Sequence, residues 1–120
     1  MTSSVLVVDD DLDVREAVCD ALQQEGYRTA EAIDGPSALQ YLASSPQPSL
    51  VLLDWNMAPM NGGEFMKAMF QRHGRTIPVI LLTADGRLKE EDSKVHGFAA
   101  HLRKPVRLEA LFAAVKKHAR

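Results

Sequence analysis

Three apolar runs in this chain end on residues able to do chemistry. Val5-Leu6-Val7-Val8 runs into Asp9-Asp10-Asp11, Leu50-Val51-Leu52-Leu53 into Asp54, and Ile77-Pro78-Val79-Ile80-Leu81-Leu82 into Thr83-Ala84-Asp85. A further cation, Lys104, stands before Pro105. If these ends share a rim, Asp9, Asp10 and Asp54 cluster. Two unit charges about 4 Å apart repel by roughly 4 kcal/mol at an effective dielectric of about 20. Either one carboxyl keeps its proton, or a divalent cation binds. Magnesium suits such a set, because it takes hard oxygen ligands, keeps several waters and often shares its shell with a phosphate. A carboxylate neutralised by a metal and a nearby lysine is itself a potential nucleophile towards phosphorus. Lys104 supplies that lysine, and Thr83 a hydroxyl donor. Each feature also has an ordinary explanation: acidic turn formers, a solvated lysine, a threonine N-cap. Their coincidence at several strand ends is what points to a site.

The elements that must position these residues are legible from periodicity. Short apolar runs bounded by turn signals read as strands buried on both faces, as in a parallel sheet. Val14, Ala17, Val18, Ala21 and Leu22 form one apolar helix face ending before Gly26, a good C′ residue. Cys19 falls off that face and reads as an unreactive surface thiol. Residues 27–32 are less apolar, as at a sheet edge. Asp34-Gly35-Pro36 starts a second helix, with Ala38, Leu39 and Leu42 facing inward. Asn61 and Glu64 are spaced as a capping box for a third, whose inward stripe is Phe65, Met66, Met69 and Phe70. A fourth helix, over 88–96, has only Leu88 and Val95 on its inner face and is expected to be the easiest to shift. Strand residues 99–103 precede Lys104, and Leu108, Leu111, Phe112 and Val115 mark the last helix. Five strands alternating with five helices specify an α/β, doubly wound parallel sheet of flavodoxin-like type, for which the expected order is 2-1-3-4-5. That order makes the first and third strands neighbours, about 4.8 Å apart.

At 120 residues the chain is expected to be a single domain, 1–120, with 46% apolar and 25% charged residues. A formal net charge of −2 gives no general case for nucleic-acid or membrane binding. The basic end Lys116-Lys117-His118-Ala119-Arg120 is what a helix macrodipole favours. One cysteine, no apolar run near the roughly 20 residues of a membrane span, and no signal-peptide pattern after Met1 lead to the expectation of a cytoplasmic protein.

These positions resemble those of a response-regulator receiver domain over nearly the whole chain. The family pattern is an acidic pair after strand one, a phosphoacceptor aspartate after strand three, Thr or Ser after strand four and Lys-Pro after strand five. Here it reads Asp9-Asp10, Asp54, Thr83-Ala84 and Lys104-Pro105. The resemblance implies that Asp54 accepts a phosphoryl group from a phosphohistidine on a sensor histidine kinase or phosphotransfer protein, and slowly loses it. It implies Mg2+ on Asp9 (typically through water), Asp10, Asp54 and the backbone carbonyl of Asn56. Lys104 would pair with the phosphoryl oxygens, and Thr83 would swing in to hydrogen-bond them, drawing the loop before the fourth helix along. A cis Lys104–Pro105 bond is implied too, against a general frequency of about 5%. A downstream protein would read the face of the fourth helix, fifth strand and last helix. The only turnover expected is self-phosphorylation and autodephosphorylation.

Three positions depart from the family pattern. Ala58 stands where proline is common, with Pro59 following and biasing it towards extended geometry. His101 replaces the usual aromatic switch residue, and the Thr83-to-Lys104 interval is one residue shorter than in common relatives. Asn56 and Asp85 occupy positions that tune autodephosphorylation, and with Trp55-Asn56-Met57 they resemble the fast-cycling chemotaxis type. Two other functions remain open at this point. Asp9-x-Asp11 resembles the start of a haloacid-dehalogenase-type phosphatase, with Asp9 as nucleophile, and a phosphate-independent docking module is the third reading.

Overall fold

A computed structural model describes residues 3–84, 92 and 96–119. The chain runs β1 (Ser4–Val8), α1 (Leu12–Gln24), β2 (Arg28–Ala32), α2 (Gly35–Ser44), β3 (Leu50–Asp54), α3 (Gly62–His73), β4 (Val79–Thr83), β5 (Ala100–Arg103) and α4 (Leu108–His118). All five strands are parallel, in the order β2-β1-β3-β4-β5, as expected. Four helices, not five, are present among the described residues. The remaining expected helix, over 88–96, lies outside them apart from Asp92 and His96.

β3 and β4 are buried at every position, because helices cover both faces of a parallel sheet. The period-two alternation sorts their side chains into two cores. Leu6, Val8, Val51, Leu53, Val79 and Leu81 meet Leu39, Phe65, Met66 and Met69 on the α2–α3 side. Val5, Val7, Leu50, Leu52, Ile80 and Leu82 meet Val18, Leu22, Leu111 and Val115 on the α1–α4 side. Each such side chain contributes about 1.5–3 kcal/mol by leaving water. β2 and β5 are the partly exposed edges.

The helix ends follow local chemistry. Asp11 caps α1, its side chain accepting from the Asp13 and Val14 amides, and Asp34 caps α2 by accepting from Ser37. Both halves of the expected Asn61–Glu64 capping box form. Gly26 has φ of 91° after α1, a conformation that other residues rarely adopt.

Three burial expectations are corrected. Cys19 is buried, not a surface thiol, while Ala17 is exposed and Val14 half-buried. The buried residues of α1 are Arg15, Val18, Cys19, Ala21 and Leu22, so the expected Val18, Ala21 and Leu22 do face inward while the face is turned to take in Arg15 and Cys19. Burial pushes the Cys19 thiol up to about 11, so its expected inertness stands. Leu108, expected on the inner face of the last helix, is 53% exposed.

Candidate functional site

The parallel register builds the rim step by step. Val8 is level with Leu53, so the next residues on β1 and β3 are Asp9 and Asp54. Asp54 is level with Leu82, one residue short of Thr83, and Thr83 is level with Arg103, one short of Lys104. The Lys104 amide donates to the Thr83 carbonyl at 2.8 Å, extending the β4–β5 ladder as far as the lysine. Lys104–Pro105 is cis, as the resemblance implies, and Ala58–Pro59 is cis as well.

Lys104 Nζ lies 2.9 Å from Asp9 Oδ2 and 3.4 Å from Asp54 Oδ1. Asp9 is wholly buried, Asp54 is 4% exposed and Thr83 is buried at the end of β4, whereas Asp10 is exposed. Ligand oxygens of Asp9, Asp10 and Asp54 all lie within 4.8 Å of one another. The Asp11 amide donates to Asp9 Oδ1 at 2.9 Å, and the Asn56 amide to Asp54 Oδ1 at 3.2 Å. Each loop thus folds back on the carboxylate that precedes it.

Both expected answers to carboxylate crowding bear on this cluster. Burial, then the charge of Asp9, push the Asp54 carboxyl up from 3.8 to about 6, with Lys104 pulling the other way. For Lys104 burial alone would lower the pKa, but its hydrogen bond to Asp9 and the charges of Asp54 and Asp9 outweigh it and the net direction is up. Three carboxylates against one ammonium leave two negative charges uncompensated, the charge of one divalent cation. The all-oxygen donor set, partly buried and facing solvent through Asp10, fits magnesium.

The remaining candidates are more dispersed. Ala84 is exposed. His101 is half-buried, edge-on to Phe98 with ring centroids 5.8 Å apart. Asp85 lies outside the described residues. Trp55, next to Asp54, donates its amide to Leu82 and lays its indole across the start of α3, where a Cβ on Gly62 would come within 2.8 Å of the ring. It also meets His96 edge-on at 5.0 Å. The two glycines opening α3 were the signal for that packing.

Sequence periodicity missed Arg15. Its Nη1 donates to the Asp9 carbonyl at 2.9 Å, and its Nε to Glu31 Oε1 at 2.9 Å. Arg15 is i, i+3, i+4, i+7 with the buried Val18, Cys19 and Leu22, but Val14 stands in the same relation to Val18 and Ala21, so spacing did not single it out.

A family profile described as the response regulator receiver domain matches residues 5–116. The chain is 37% identical over 121 residues to the phosphate regulon transcriptional regulatory protein PhoB of Escherichia coli K12, covering 97% of this chain and 51% of that protein. It is 35% identical over 119 residues to sporulation initiation phosphotransferase F of Bacillus subtilis strain 168, covering 98% of this chain and 94% of that one. The chain thus spans about half the length of the phosphate-regulon regulators it matches. Among solved structures, Vibrio cholerae chemotaxis protein CheY4 superposes with a TM-score of 0.88 at 31% identity, over 98% of this chain and 99% of that one.

Proposed function

This chain belongs to the response regulator receiver domain family, and from that premise we propose that it is a phosphorylation switch with Asp54 as the phosphoacceptor. The observation that carries this is the ammonium of Lys104 lying against both Asp9 and Asp54, with an Asp10 oxygen inside the same cluster. An Asp54 carboxylate oxygen attacks phosphorus as the bond to the donor nitrogen of a phosphohistidine breaks, and the imidazole leaves. Bound to Asp9, Asp10, Asp54 and the Asn56 carbonyl, Mg2+ would neutralise charge on the arriving phosphoryl group. Lys104, already in contact with Asp54, pairs with the phosphoryl oxygens, and the Thr83 hydroxyl donates to another. Drawing in Thr83 moves Ala84 and the chain that follows, and this change is read by a downstream protein on the surface around β5 and α4, where His101 is half-buried. Attack of water at phosphorus releases phosphate and regenerates Asp54, at a rate tuned by Asn56 and Asp85. The donor is a sensor histidine kinase or phosphotransfer protein.

Asp9 is poorly placed as the nucleophile of a phosphatase. It is wholly buried, with Oδ1 accepting from Asp11 and Oδ2 from Lys104. Among the described residues no helix is long and apolar enough to cross a membrane, which agrees with a cytoplasmic role.

Acetyl phosphate with magnesium tests the proposal. Intact-mass measurement is expected to show one added phosphoryl group, dependent on the metal and absent with a chelator. A protein that stays unmodified under these conditions does not have this function. The acyl phosphate is expected to be short-lived, and Asn56→Lys to prolong it by displacing the polar side chain beside the attacking water. A long-lived wild-type phosphate, or an unchanged decay in the variant, would remove Asn56 from the hydrolytic role.

A further inference from the structure

Asp9 is held at four points, and two of them come from outside the rim: its amide donates to the Ala32 carbonyl at 3.2 Å, and Arg15 reaches its carbonyl. Its Oδ1 takes the Asp11 amide and its Oδ2 the Lys104 ammonium, while its main-chain carbonyl takes Arg15 Nη1 at 2.9 Å in a buried hydrogen bond. The Asp9 carbonyl belongs to the same rigid peptide plane as the Asp10 amide, so whatever fixes that carbonyl also fixes the direction in which Asp10 leaves β1. Asp10 is the exposed member of the carboxylate cluster, without the enclosing wall that surrounds Asp9 and Asp54.

The guanidinium is itself oriented. Arg15 has a side chain only 11% exposed and gives its Nε to Glu31 Oε1 at 2.9 Å, across to the β2 edge, where Glu31 pairs with Val7. A charge so withdrawn from water is costly unless paired and hydrogen-bonded. Serving a carboxylate through Nε and a carbonyl through Nη1 uses the planar fork, which a lysine's compact ammonium does not reproduce.

We infer that Arg15, oriented by Glu31, is a positioning residue for the magnesium site: it fixes the Asp9–Asp10 peptide and so holds the Asp10 carboxylate in the geometry that binds the cation. This rests on the proposal that the three carboxylates hold Mg2+. Its effect opposes simple electrostatics. Removing a nearby positive charge should by Coulomb attraction tighten Mg2+ binding, whereas loss of a positioning residue weakens it.

Calorimetric titration of MgCl2 into the unphosphorylated protein separates the two. Arg15→Met and Arg15→Lys are expected to raise the Mg2+ Kd by about tenfold or more, the usual scale for residues that orient metal ligands. Glu31→Ala, whose side chain is 46% exposed and whose loss leaves the core intact, is expected to weaken binding in the same direction by a smaller factor. In acetyl phosphate labelling, the half-saturating magnesium concentration shifts while the rate at saturation stays near wild type. Unchanged or tighter Mg2+ binding in folded Arg15→Lys, which keeps the positive charge, overturns the inference, and this variant decides it if Arg15→Met does not fold. A wild type that binds no Mg2+ overturns the metal site itself, and this inference with it.

Discussion

Asp54→Asn is expected to abolish labelling by acetyl phosphate and, at the same time, to make the protein more stable at pH 7.5. The first effect follows from chemistry: an amide oxygen is no nucleophile towards phosphorus, so labelling falls to background rather than merely slowing. Were Asp9 the nucleophile, labelling of the variant would persist. The second effect follows from the cluster's charge. The folded-state pKa of Asp54, about 6, lies above its ordinary 3.8. Between those values the folded protein holds a proton that the unfolded chain has released. The contribution of Asp54 to stability is therefore most favourable below 3.8, declines as pH rises to about 6 and is constant above. The side-chain amide of the variant cannot ionise, so the two proteins should be nearly equal at pH 4 and diverge by ~2–3 kcal/mol at pH 7.5, the attraction to Lys104 being already contained in that pKa. Added magnesium should narrow that gap, since it stabilises the wild type by mass action. Denaturant titrations at the two pH values check this. A variant less stable than wild type at pH 7.5, with no change in the gap at pH 4, would contradict the charge account.

Lys104→Met carries the other large effect. The ammonium bridges two nearly buried carboxylates, and its removal leaves them facing each other without a cation. Breaking a buried pair by deleting one partner costs ~3 kcal/mol or more, tempered here because Asp54 takes up a proton more readily. For a domain of this size that is a fall in Tm of roughly 10 °C at neutral pH. Magnesium should restore more stability to Lys104→Met than to wild type, because the metal then supplies the only cation in contact with the cluster. Calorimetric melts with and without MgCl2 measure both. Equal magnesium-induced increments in the two proteins would show that Lys104 and the cation do not share the same carboxylates.

The strands and the rim were legible because they depend on local rules. A continuous apolar run ending in aspartate can hardly be anything but a strand buried on both faces, and β3 and β4 are buried throughout. Parallel pairing then brings the strand ends together, which is why Asp9, Asp54, Thr83 and Lys104 could be named before any coordinates. The Asn61–Glu64 capping box was readable for the same reason, its partners being three residues apart.

Tertiary structure decided the rest. Cys19 and Ala17 exchanged places because a helix face is set by how the helix is rotated against the sheet, and an inward arginine belongs to no apolar stripe. Leu108 keeps the apolar spacing of its helix and is nonetheless exposed, which periodicity does not record. Lys104 favours Asp9 over Asp54 by half an ångström, a choice between partners 95 and 50 residues away that hangs on side-chain reach. The hold of Arg15 on the Asp9 carbonyl is a main-chain contact, and main-chain acceptors are alike in every sequence. Pattern alone established which strand-end groups meet in this protein, because strand period and residue type are local. Which group holds which was left to packing, because distances of a few tenths of an ångström are set by the whole core at once.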